Sequence, residues 1–168
     1  MYKYLLYFLT FSFFGWCTEV VFHFLKCGRI INRGLAKGPI CPIYGVGVCV
    51  ASLLLGHVES VILLALLSMA ILTVVELAVG CFCDRALGER LWDYRAEKGN
   101  IFGYVCPRFS VIWGVACAAL LKLLPLIDRL FARLKTPVFY GLSFTLLTLV
   151  IVDVKTSILK RRGKITKA

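Results

Sequence analysis

Glu19 and Glu76 stand inside long apolar stretches of this sequence. A charged side chain at the centre of a membrane helix costs roughly 2.5–3.5 kcal/mol on insertion scales, so a carboxylate there needs a partner or a purpose. The chemistry open to these two is a structural salt bridge, to Arg33 or Arg108, or a substrate or proton site. Their surroundings repeat. Glu19 is followed by Asn32-Arg33-Gly34 and then by Gly38-Pro39-Ile40-Cys41-Pro42. Glu76 is followed by Trp92-Asp93-Tyr94, Asn100 and then by Gly103-Tyr104-Val105-Cys106-Pro107. The repeated unit is a helix carrying an acid, a polar loop, and a second helix opened by Gly-x-(Ile/Val)-Cys-Pro. It predicts one polar site built from two hairpins, with Glu19, Arg33, Glu76, Asp93, Asn100 and Arg108 as its candidate residues.

Composition says what must position those residues. Of 168 residues, 60% are hydrophobic, against roughly 45–50% in soluble domains. The solvent for such a chain is lipid, and the fold class is an all-α integral membrane bundle. The net charge of +11 lies mainly in loops and the tail. It fits orientation and anionic headgroups better than nucleic acid, which is excluded as a partner. Eight cysteines do not form a disulfide set. Cys17, Cys49 and Cys117 read as small hydrophobes inside spans. Cys27, Cys41, Cys81, Cys83 and Cys106 fall near a face read as cytosolic, where thiols stay reduced. Cys81-Phe82-Cys83 lacks zinc spacing and a nearby histidine, so no metal and no cofactor is expected.

About five spans are expected within a single transmembrane domain, 1–168: residues 4–25, 39–55, 60–81, 109–127 and 137–154. Loops 26–38 and 82–108 and the tail 155–168 then share one side. That side holds 15 of the 20 basic residues, and the other side holds Lys3, Lys122, Arg129, Arg133 and Lys135. The positive-inside rule places the loops and tail in the cytosol and the N-terminus outside.

Helical spacing refines this picture. Gly38, Cys41, Gly45, Cys49, Ser52 and Gly56 form a small-residue stripe that lets helix backbones approach closely. Ser12, Gly15, Glu19 and His23 share one face of the first span. Thr73, Glu76 and Gly80 share one face of the third. In 82–108, charges alternate in sign while Leu87, Leu91 and Tyr94 fall at helical spacing. This predicts an amphipathic helix with Trp92 and Tyr94 at headgroup depth, or else a solvated, self-paired connector. Asp153 is expected to pair with Lys155 or its neighbours.

The order of these residues resembles a bacterial membrane family. Phe13-Phe14-Gly15-Trp16-Cys17-Thr18-Glu19 resembles its "GW..E" opening. The run from Asn32, Arg33 and Gly34 through Gly38, Pro39, Cys41 and Pro42 to Tyr44 and Gly45 is similar to its "NRGFL.GPICPIYG" signature. Glu76, Trp92, Asp93, Tyr94, Asn100, Gly103 and Cys106 resemble its later "E…WDYS…N..G.IC" signature. The chain departs from the pattern at Leu35-Ala36, at Leu91 and at Arg95, where Phe-Leu, a second aromatic and Ser are usual. The family is the CmpB-like one, "putative ABC-transporter type IV". The resemblance spans about residues 4 to 125, and it implies a bacterial inner membrane and a role in transport.

Three functions stay open on these residues. One is the permease-like membrane subunit of a transporter. No Gly-x4-Gly-Lys-Ser/Thr phosphate loop is present, so ATP hydrolysis would fall to a separate ATPase docked on the cytosolic loops and tail. Five spans are few for a complete path, so a homo-oligomer or larger assembly is implied. Another is an enzyme acting on a lipid or lipid-linked phosphate, with Arg33, Arg95 and Arg108 gripping the headgroup. Against it, no nucleophile–base pair is visible, and His23 and His57 fall in different regions. The third is a non-catalytic membrane scaffold.

Overall fold

The computed structural model describes residues 2–29, 34–133 and 136–165, the last four by backbone alone. Asn32 and Arg33 lie outside the described residues. Five helices follow one another: α1 (Tyr2–Cys27), α2 (Pro42–Leu55), α3 (Val61–Leu87), α4 (Pro107–Ala132) and α5 (Pro137–Ile165). Among the described residues there is no strand, only a bridge between Ile101 and Val105. The molecule is a helical membrane bundle.

Four helices are long and apolar enough to cross a bilayer, and α2, with 14 residues, is shorter. At 1.5 Å per residue a 26-residue helix reaches about 39 Å, and α2 only about 21 Å against a hydrocarbon core of about 30 Å. The second span was expected from residue 39. The helix begins at Pro42, after Ile40 N–H turns back to the Gly38 carbonyl at 2.8 Å and Cys41 takes an extended conformation. At the other ends, α3 runs six residues beyond the expected Cys81, to Leu87, and α5 continues past Val154.

The helices pack as two antiparallel hairpins. In the first, Cys49 Sγ donates to the Tyr4 carbonyl, Gly45 lies against Phe8 and Ser12, and Tyr44 meets Glu19. The small-residue stripe of α2 therefore faces α1. In the second, Gly114 lies against Ala65 and Met69, and Thr73 Oγ1 donates to Ser110 Oγ at 2.8 Å. Helix α5 touches α1 and α3 and is otherwise the most exposed, with 6% of its apolar window buried.

Packing differs along the bundle. At the end holding the N-terminus and the α2–α3 turn, Tyr7, Leu55, Leu64, Leu121 and Leu124 form a solid core. Tyr7 is fully buried, and its hydroxyl donates to Asp128 at 2.6 Å. Lys122 reaches along α4 to the Glu59 carbonyl at 2.7 Å. The opposite half is hollow, and both acidic residues of interest lie there. Large apolar side chains such as Leu25, Ile62 and Val138 face outward, as they would toward lipid.

Candidate functional site

The two Gly-x-(Ile/Val)-Cys-Pro segments do the same local job. Cys41 and Cys106 are extended residues at the N-caps of α2 and α4, and a proline follows each at the first helical position. Proline fits there because its missing N–H would have had no helical partner. Each segment delivers a helix start beside the acid of the preceding helix.

In hairpin one, the first turn of α2 carries Tyr44, whose hydroxyl donates to Glu19 Oε1 at 2.6 Å. His23, one turn below Glu19, lies with Nε2 at 3.5 Å from Oε2. In hairpin two, the donor comes from the loop. Tyr94 Oη donates to Glu76 Oε1 at 3.0 Å. Glu76 is buried at 8% exposure, and no donor completes a hydrogen bond to its Oε2. Burial and the neighbouring Glu76 carboxylate raise the Tyr94 phenol well above its usual value, so it stays a donor at any physiological pH.

An aromatic chain joins the two acids. Trp113 meets Tyr44 edge-on, with ring centres 5.5 Å apart, and stacks on Phe109 at 6.5 Å. Phe109 in turn stacks on Tyr94 at 4.7 Å. Behind this wall lies a cavity of about 600 Å³ lined by both glutamates, with His23, Tyr44, Tyr94 and Trp113. Val154 and Ile158 of α5 also line it. Among the described residues, no lysine or arginine lines the cavity.

Residues 88–106 hold Tyr94 in place, and not as the amphipathic helix the spacing suggests. Gly88 ends α3 in the left-handed conformation, its N–H bonded to the Asp84 carbonyl. The chain then folds back on α3. Trp92 Nε1 donates to the Tyr104 carbonyl at 2.7 Å, and Tyr104 Oη donates to Asp84 at 2.6 Å. Arg90 pairs with Asp84 at 2.8 Å and lies over the Tyr104 ring. Gly103 has φ +76°, and a Cβ there would fall 2.7 Å from Arg95 Cγ, so the tight turn requires glycine.

The two acids and the two Cys-Pro helix starts thus occupy matching positions, and the family model described as "Putative ABC-transporter type IV" matches residues 6–158. The chain belongs to this family. Comparisons with curated proteins and with solved structures return no match.

Several other family-motif residues have structural roles. Asn100 fastens the turn, donating to the Glu97 carbonyl and accepting from Gly103 N–H at 3.0 Å. Asp93 is gripped by Arg95 at 2.6 Å, which holds its carboxyl down at about 2. Arg108 is exposed and reaches Glu97 at 3.5 Å, so it does not pair with either buried acid. Asp93, Asn100 and Arg108 therefore lie off the cavity. Gly15 is pressed against the Tyr44 ring, and Gly80 against Trp92 and Tyr104. Asp153 accepts from Gly38 N–H at 2.8 Å and from Ser157, not from Lys155. The eight cysteines are free thiols, and among the described residues no cluster suits a metal.

Sequence reasoning missed Trp113 and the inward direction of Tyr94. Trp113 sits in an apolar run like any membrane tryptophan. The available signal for Tyr94 was the matching tyrosine after the first Cys-Pro, which suggests that each acid needs a phenol.

Proposed function

We propose that this protein is the permease-like membrane subunit of a transporter, served by a separate ATPase. It would sit in a bacterial inner membrane with its N-terminus outside and its C-terminus in the cytosol. The observation that carries the reading is the convergence of Glu19 and Glu76, one from each repeated hairpin, on a single cavity covered by α5. Carboxylates within a bundle, facing a cavity, are characteristic of transport pathways.

The arrangement at the end of the bundle nearest that cavity supports the same reading. Arg161 of α5 binds Glu89 at 2.5 Å and reaches the Gly34 carbonyl at 3.4 Å. Gly34, Glu89 and α5 are thereby tied together at one end of the bundle, where a docking ATPase could move them as a unit. With so few helices, a pathway is completed by a second copy or another subunit.

The lipid-enzyme reading needs arginines free to grip a phosphate. Of the three it names, Arg95 holds Asp93 and Arg108 reaches Glu97, while Arg33 lies outside the described residues. That observation favours transport over lipid chemistry.

The test is purification from native membranes in mild detergent, followed by mass spectrometry of what co-purifies. A stoichiometric ATPase is the expected result. A protein that arrives alone, or with one enriched lipid, overturns the reading.

A further inference from the structure

The chemistry of the cavity narrows what it can hold. Two carboxylates line it, and among the described residues no lysine or arginine does. Among the described residues, even a charged His23 leaves it with a formal deficit of positive charge. Glu76 is more than nine-tenths buried, and no donor completes a hydrogen bond to its Oε2, the Trp113 indole being a nearby donor. Charging an oxygen so buried is costly, and a cation seated beside it offsets that cost. The rest of the lining is apolar or aromatic, with Tyr44, Trp92, Tyr94 and Trp113 presenting ring surface. Aromatic faces attract cations, more strongly where water is excluded. The volume, about 600 Å³, falls within the roughly 300–1,000 Å³ typical of sites for organic ligands. It far exceeds the space needed by a bare inorganic ion.

We infer that the cavity binds an amphipathic organic cation, a single amine or quaternary centre carried on an apolar body. The positive centre sits between Glu19 and Glu76 and against Trp113. The apolar body lies toward Val48, Leu120 and Val154, which also line the cavity. An anion of the same shape is rejected, because its charge would meet two carboxyl groups and, among the described residues, no lysine or arginine. The inference rests on the reading of this cavity as the transport site and names its substrate class.

Tetraphenylphosphonium and tetraphenylborate form a suitable pair of probes, nearly identical in shape and opposite in charge. Binding is measured by equilibrium dialysis on the full chain in a maltoside detergent, against protein-free micelles. This detergent offers neither a charge nor a choline headgroup. The expected result is saturable binding of the phosphonium only, weakened about tenfold by Glu19→Gln and by Glu76→Gln. Size-exclusion and circular-dichroism profiles matching the parent show that each variant is folded. Glu19, only partly buried, provides a second variant that tests the proposal on its own.

Equal binding of the borate, no saturable phosphonium binding, or parent-like affinity in folded variants would overturn the proposal. The two readings fail separately. A co-purifying ATPase with no phosphonium binding leaves transport standing and removes this substrate class. Charge-selective binding without any ATPase supports the site and removes the ATP-driven reading.

Discussion

The two hairpins begin from one pattern and solve the same problem with different parts. Each must hold a carboxyl group inside an apolar bundle and supply it with a phenol. In hairpin one the phenol, Tyr44, rides on the first turn of α2, and His23 adds a second contact. In hairpin two the position three residues after the capping cysteine is Phe109, which cannot donate. The phenol arrives instead from the loop as Tyr94, stacked on that same Phe109. One acid is therefore held by a helix and the other by a folded loop. The point of closest helix approach has moved as well. It lies at Gly45 in α2, four residues after Cys41, and at Gly114 in α4, eight residues after Cys106. The comparison teaches that chemistry is shared by the repeat while packing is not.

The sharpest way to break that comparison is to exchange packing residues. At the place of Gly45, hairpin two carries Ser110, which accepts from Thr73. In hairpin one a Cβ on Gly45 would fall 2.5 Å from the Phe8 carbonyl oxygen, an atom of a helix backbone that has little freedom to move. Gly45→Ser is expected to destabilise the protein by about 3 kcal/mol, the upper range for overpacking. The converse change, Ser110→Gly, loses one hydrogen bond and adds a helical glycine, for about 1–2 kcal/mol. Thermal unfolding of the two purified variants in detergent measures both. Equal losses would mean that the hairpins pack alike after all.

The phenols come next. Tyr94→Phe strips Glu76 of the phenol on its Oε1 and leaves the buried carboxyl with the Trp113 indole alone. Tyr44→Phe leaves Glu19 with His23 and with partial exposure. Losses of about 2 and about 1 kcal/mol respectively are expected, from the usual worth of hydrogen bonds to charged groups and the cost of an unsatisfied one. Melting curves of the two variants should separate in that order. A reversed order would show that the loop contributes less to Glu76 than its geometry indicates.

Neutralising the acids is expected to separate the hairpins by sign. Glu76→Gln removes an ionisable carboxyl from an apolar site and keeps a carbonyl oxygen for Tyr94. It is expected to stabilise the fold by about 1 kcal/mol, while weakening function, a familiar opposition at binding sites. Glu19→Gln gives up a well-satisfied charged cluster and should cost about 1 kcal/mol. Parallel thermal scans at neutral pH test the pair, and a common sign would count against the asymmetry described here.

Much of this was legible in the residues. Apolar runs gave the membrane bundle, and Cys-Pro gave the starts of α2 and α4. The matching acids suggested one polar site built from two hairpins, and both line one largely apolar cavity. Residues 82–108 were legible only in part. Alternating charges and Leu87, Leu91 and Tyr94 mimic a helical period, but Gly88 in the left-handed region stops α3. The charges are then consumed by local pairs such as Asp93–Arg95 and Arg90–Asp84. Periodicity cannot register such pairs, since it counts positions and not partners. Arg108 was a plausible mate for a buried acid by charge alone, yet it opens α4 at the exposed side and meets Glu97.

The smallest expected effect lies in that loop and tests whether its chemistry is independent of the cavity. Arg95 stands where the family usually has serine, and it grips Asp93 through several hydrogen bonds. The grip lowers the carboxyl from 3.8 to about 2. A depressed pKa in the folded state contributes stability above the unfolded value, and that stability is lost as pH falls through the folded one. Its window is therefore about pH 2–4, and at neutral pH the contribution is constant. Arg95→Ser is expected to return the Asp93 titration toward 3.8, as read by NMR of the side-chain carboxyl. Because both groups are exposed, stability at pH 7 should change little. Phosphonium binding should be unaltered, since neither side chain lines the cavity. A binding loss in this variant would mean that the loop transmits strain through Tyr94 to Glu76, joining two sites that the structure keeps apart.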